Sequence, residues 1–107
     1  MRTVPVIAFA ALAMATAQAG AADFYAGKTV EIDVGSPPGG GYNAYARSVS
    51  RYIGNHIPGK PTVIVKNMPG AGGRKVTAWT YNAAPKDGSA ITASQPESLA
   101  EPILGDP

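Results

Sequence analysis

The chain has no cysteine, one histidine and one tryptophan in 107 residues. Without cysteine there is no disulfide framework, although an exported chain could have used one. Metal sites need clustered His, Cys or carboxylates. His56, beside the Pro58-Gly59 turn, reads as a solvated loop residue, and Glu31 and Asp33, on one predicted strand, show no partner set. Ser36 and Ser94 have no base in this chain to activate a hydroxyl nucleophile. Charge of one sign is also scarce. Nine basic residues, less Arg2 in the leader described below, leave eight against seven acidic. That is no basic field for a phosphate backbone, so nucleic acid is not an expected partner despite the pI near 9.0.

Long apolar runs are rare too, and the chain has one. Val4–Ala15, "VPVIAFAALAMA", follows the positive Arg2 and is too short to span a bilayer. Small residues follow in "TAQAGAA", where Ala17-Gln18-Ala19 and Ala19-Gly20-Ala21 both fit an A-x-A cleavage pattern. A buried N-terminal helix is disfavoured by Pro5 and by the lack of a polar face. Residues 1–22 therefore read as a secretory signal peptide, cut between Ala19 and Asp23, and the mature chain is expected in the periplasm. Residues 23–107 form the folded part, a marginal core of about 85 residues. The sequence stops at "ILGDP", which reads as the end of an N-terminal piece.

What the chain has in abundance is glycine and proline, 13 and 10 residues. They fall between periodic segments. Thr29–Val34 "TVEIDV" alternates and predicts a strand. From Tyr42 to Ile53, apolar residues recur at helical spacing, with Tyr42, Tyr45 and Tyr52 on one stripe read as core or pocket wall, and Gly54-Asn55 reads as the helix stop. A second strand is expected over Thr62–Val65, a helix over Arg74–Ala83, a turn at "APKDGS", a third strand over Ala90–Ser94 and a last helix from Pro96 to Leu104. Three β-loop-α units predict an α/β fold with an open parallel sheet and right-handed crossovers.

In such a sheet the strand-to-helix loops lie together at the carboxyl edge. Two of them are rich in glycine: "GSPPGGG" before the first helix and "NMPGAGG" before the second. Each leads into a helix N-terminus, where backbone N–H groups lack partners and the dipole favours negative charge. Glycine lets that backbone approach a ligand, so the pair predicts an anion site without charged side chains. The nucleotide patterns G-x-x-x-x-G-K-[ST] and G-x-G-x-x-G are absent. Arg74-Lys75 opposes the second helix dipole; the pair would suit an anion nearby, but the preferred reading is a solvated pair.

These residues resemble a family. The leader, then "DFYAGKTVEIDVGSPPGGGYNAYARSVSRYIGNHIPGKPTVIVKNMPGAGG" and "YNAAPKDGSAI", are similar to the start of the tripartite tricarboxylate transporter solute-binding proteins, the TctC or Bug type. The most specific parts are "PPGGGYNAYAR", "NMPGAGG" and "APKDG". The resemblance implies part of the first lobe of a two-lobed, type II-like periplasmic binding protein of several-fold greater length. It implies a receptor, not an enzyme: a small carboxylate bound without cofactor and passed to membrane transporter subunits. By resemblance the ligand rests on Pro38, Gly39, Gly40, Gly41 and Asn43, and on Pro69, Gly70, Ala71, Gly72 and Gly73. Ser36, Ser94 and Gln95 complete the candidate ligand-binding set. Family members commonly carry Asp at 43 and an aromatic residue at 36; Asn43 can still cap a helix and donate through its amide. The competing readings are a small exported hydrolase acting on an anionic substrate, which needs a base and nucleophile the sequence does not show, and a non-binding remnant.

Overall fold

A computed structural model of the chain describes residues 24–104. The proposed leader and its cleavage window through residue 23 lie outside the described residues. Strand β1 is Thr29–Val34, helix α1 Gly41–Ile53, strand β2 Thr62–Asn67, helix α2 Arg74–Asn82, strand β3 Ala90–Ala93 and helix α3 Glu97–Leu104. Both strand pairings are parallel, and the order is β2-β1-β3. The fold is α/β with a small open parallel sheet.

Alternation in β1 gives the sheet two unlike faces. Val30, Ile32 and Val34 are buried on one of them. The register sets Val30 beside Val63, Ile32 beside Val65 and Ile91, and Val34 beside Ala93, so one face is apolar across all three strands. Helix α1 covers it, with Ala46 packed into the cluster formed by Ile32, Val34, Val63, Val65 and Ala93. The other face carries Glu31 and Asp33, with Asp33 aligned with Lys66 on one side and Thr92 on the other. Helix α2 lies on this face, tied to it by hydrogen bonds between the hydroxyls of Thr80 and Thr92 and between those of Thr77 and Ser94. The order explains the division. The chain moves from β1 to β2 in one direction and crosses back over β1 to reach β3, and right-handed crossovers in opposite directions put their helices on opposite faces. The same reversal creates a switch point at the carboxyl ends of β1 and β3, where ligands bind in open α/β sheets.

Three features differ from the sequence expectation. Strand β2 runs two residues further, to Asn67, because Lys66 and Asn67 continue the register against Asp33 and Val34. Gly54 does not stop α1 in a left-handed conformation; its φ is −58° and the chain continues into a 3₁₀ turn, Gly54–His56. Glycine is needed there for close approach, since a Cβ would stand 2.7 Å from the Pro61 carbonyl oxygen. The tyrosine stripe is also not core. Helix α1 turns Asn43 and Ala46 inward, which leaves Tyr45 and Tyr52 74% and 67% exposed. Tyr42 and Tyr45 line one side of an apolar groove of about 190 Å³, together with Ile32, Ile91 and Ala93.

Candidate functional site

The carboxyl edge of the sheet is built around Gly35, the first residue after β1. Its N–H donates to the Ala93 carbonyl at 3.1 Å. A Cβ on Gly35 would stand 2.9 Å from Val76 Cγ1 and 3.1 Å from Gly73 Cα, so bare backbone here lets the two glycine loops touch. Asn67, at the end of β2, adds a second tie: its Nδ2 donates to the Ser36 carbonyl at 2.9 Å. Met68 N–H donates to Val34 O at 2.8 Å. From α1, Arg47 donates to Asn67 Oδ1 at 3.4 Å and to Asn43 Oδ1 at 3.3 Å. The loops are therefore neighbours, clamped by an Arg47–Asn67 pair that sequence reasoning did not single out. The four-residue spacing of Asn43 and Arg47 on a helix was its available signal.

The first loop is open. Pro38, Gly39 and Gly41 are exposed and Gly40 is half-buried. Gly39 has φ +91° and needs to be glycine for its conformation. Gly40 is the N-cap of α1 with φ −76° and ψ 166°, an extended geometry open to any residue. No side chain caps α1, and its first turn holds no acidic residue. The N–H groups of Gly41, Tyr42 and Asn43 lie in that first turn, where helix geometry supplies no acceptor. A Cβ at Gly39 or Gly41 would meet nothing within 4 Å. Asn43 does not cap the helix. It lies inside the first turn, 5% exposed, with its side-chain oxygen engaged by Arg47. Ser36 is also 5% exposed, and its hydroxyl has no hydrogen-bond partner among the described residues.

The second loop is wound tightly. Gly70, Ala71, Gly72 and Gly73 all have positive φ, at 147°, 48°, 60° and 90°. The turn is closed by the Gly73 N–H on the Gly70 carbonyl at 3.1 Å. Pro69, Gly70, Ala71 and Gly72 are exposed and Gly73 is buried. A Cβ at Gly73 would stand 3.3 Å from the Gln95 nitrogen, and one at Gly72 would stand 4.0 Å from Gln95 Oε1. Gln95 thus borders the second loop. Ser94 does not offer a free hydroxyl: it bonds to Thr77 and Ser98 and ties α2, β3 and α3 together. Arg74 and Lys75 are exposed, Arg74 donating to the Ala71 carbonyl at 3.4 Å. The Lys75 stem lies against Gly70, where a Cβ would come within 3.1 Å of its Cδ.

On the polar face, Glu31 has a partner after all. Lys66 Nζ bonds its carboxylate at 2.7 Å and holds it below the usual range. Asp33 is fully buried, and neither of its carboxylate oxygens has a hydrogen-bond partner among the described residues. Burial pushes its carboxyl up to about 6, and the neighbouring Glu31 adds to the rise. Among the described residues no group of three His, Cys, Asp or Glu could hold a metal ion, and no helix is long and apolar enough to cross a membrane. His56 is exposed in its turn. Comparison with protein-family models, with curated proteins and with solved structures gave no match.

Proposed function

We propose that this chain is the carboxylate-capturing part of a periplasmic solute receptor of the tripartite tricarboxylate transporter type, and that it performs no chemistry on its ligand. A small carboxylate rests on the backbone of the first glycine loop and the start of α1, with the second loop beside it. The observation that carries the reading is the uncapped α1 N-terminus, whose first-turn N–H groups open onto a loop without side-chain obstruction. Each such N–H can give an anion a charge-assisted hydrogen bond, and the helix dipole adds to the attraction. The two-lobed architecture, export to the periplasm and delivery to membrane subunits belong to the same reading and rest on the sequence resemblance.

Calorimetric titration of Gly40→Val with succinate and citrate tests it. The extended φ and ψ of Gly40 accept a β-branched residue, and its Cβ makes only ordinary contacts, 3.6 Å from Pro37 O and 3.9 Å from Ser36 Oγ. The fold should persist while the side chain obstructs the donor surface. Loss of one charge-assisted hydrogen bond, about 1.5–3 kcal/mol, corresponds to a more than tenfold weaker affinity. Unchanged affinity would take the first loop out of the site.

A further inference from the structure

Among the described residues, the Ser36 hydroxyl is a buried polar group at the carboxyl edge whose position the proposed function leaves unexplained. Its residue is 5% exposed, its oxygen is shut off from solvent, and no described group accepts from it or donates to it. The residue is held firmly. Its carbonyl accepts from Asn67 Nδ2 at 2.9 Å, and Gly35 before it is packed against Val76 and Gly73. The hydroxyl lies beneath the Pro37–Gly41 loop, 3.9 Å from the place a Cβ on Gly40 would take, and Gly40 is the N-cap of α1. A buried polar group without a partner weakens a fold, and native proteins satisfy nearly all of them. This one stands against a helix N-terminus that also lacks a side-chain cap.

We propose that Ser36 is the side-chain donor of the carboxylate site: its hydroxyl gives a hydrogen bond to an oxygen of the bound carboxylate, beside those from the α1 backbone. The proposal rests on the reading of this edge as a carboxylate site. It adds a residue that determines affinity and costs stability. Backbone N–H groups at a helix start are fixed in direction, whereas a serine hydroxyl rotates and meets the oxygen that those groups leave over. Entry of the ligand lifts the loop from the hydroxyl. Within that loop the Gly40 N–H reaches the Pro37 carbonyl at a long 3.5 Å, a weak tie to set against the movement. The anion then brings the partner the hydroxyl lacks.

This arrangement has a paired signature in Ser36→Ala, which deletes only the oxygen. Without added carboxylate the variant should melt a few degrees higher than the wild type, because the unpartnered group is gone. Its affinity for succinate and citrate should fall roughly tenfold. Ser36→Cys replaces the hydroxyl with a slightly larger group that is a weak donor, and should show the affinity loss as well. The measurement is a titration of the full chain with each acid, with succinamide as the uncharged control, and a thermal melt of each variant. A serine that only packs would lower the melting temperature when truncated and leave affinity alone, and that result overturns the proposal. Wild type and Ser36→Ala binding succinate equally also overturns it, and leaves the carboxylate site standing. A wild-type chain that binds neither acid overturns both.

Discussion

In the loop after β1 a Cβ on Gly39 or Gly41 would meet no atom within 4 Å, whereas in the loop after β2 a Cβ on Gly73 would stand 3.3 Å from the Gln95 nitrogen. The two stretches are similar in composition and in place. One needs a left-handed residue only at Gly39, and the other needs positive φ at four successive positions. Glycine in the second loop serves folding: it lets the chain wind into a tight left-handed turn and pack against the start of α3. In the first loop Gly40 and Gly41 answer to neither constraint. Their lack of side chains leaves the donor end of α1 open, as the proposed carboxylate site requires.

Substitutions at matched positions sharpen this difference, and the largest effect is expected in the second loop. Gly73→Val combines a strained φ of +90° with a tight 3.3 Å contact to which the Gln95 backbone must yield. Left-handed strain of about 1–2 kcal/mol and overpacking of about 1–3 kcal/mol predict a destabilisation of roughly 2–5 kcal/mol. Gly41→Ala should stay within about 0.5 kcal/mol, as a substitution at an exposed position does. Denaturant melts of the two variants compare them directly. Equal losses would erase the distinction between the loops.

The polar face gives the next effect, and it depends on pH. Unfolded, the Asp33 carboxyl ionises near its ordinary 3.8; folded, it ionises at about 6. Between those values the unfolded chain has given up the proton and the folded chain has kept it. Stability is therefore lost as pH rises through this window, and the loss is complete above about 6. Asp33→Asn should stabilise the chain at pH 7 by about 1–3 kcal/mol and change little at pH 3. Glu31 has the opposite sign: Lys66 lowers its pKa, so its contribution is present above the ordinary carboxylate range and fades as pH falls. Melting curves across pH for the wild type and Asp33→Asn separate the two. A wild type that stabilises steadily from pH 4 to 6, with no gain from the substitution at pH 7, would contradict the burial argument.

Much of this architecture was readable in the sequence. The alternation of "TVEIDV" placed β1 correctly, and the apolar spacing from Tyr42 placed α1 within one residue of its observed start. Parallel order followed from three β-loop-α units, and with it the meeting of the glycine loops. The rotation of α1 was not readable. Tyr42, Tyr45 and Tyr52 have helical spacing, but so do Asn43, Ala46, Ser50 and Ile53, and the close approach of Ala46 to Ile32 and Val34 selects the second stripe. Pattern also could not distinguish a glycine used for left-handed backbone from one used for clearance. Gly54 looked like a helix stop and is instead the space that Pro61 needs. The Arg47–Asn67 clamp and the buried Asp33 depend on contacts between distant segments. Asn67 and Asp33 are ordinary residues in isolation.

Two smaller effects refine the comparison. Asn67→Ala removes the donor to the Ser36 carbonyl and an acceptor for Arg47, and should cost about 1 kcal/mol of stability. The change should loosen the first loop more than the second, readable as faster amide exchange at Gly39–Gly41 than at Gly70–Gly73. Equal acceleration in both would show that Asn67 does not tie one loop to the other. Ala71 is the one non-glycine residue in the left-handed turn, at φ +48°. Ala71→Gly relieves that strain, partly offset by added freedom in the unfolded chain, and should stabilise by about 0.5–1 kcal/mol in a thermal melt. A loss of stability would mean that the turn does not strain Ala71.

The most direct test follows the backbone amide resonances of the isotope-labelled full chain during titration with succinate and citrate. The amides of Gly40, Gly41, Tyr42 and Asn43 should shift most, saturating together, with smaller shifts at Gly70–Gly73 and none from succinamide. Affinity in the millimolar range, about −4 kcal/mol, suffices for that signal. No saturable shift at the start of α1, or the largest shifts on the groove beside Tyr42 and Ile91 or on the Glu31–Lys66 face, would contradict the claim that the open glycine loop is where a carboxylate binds.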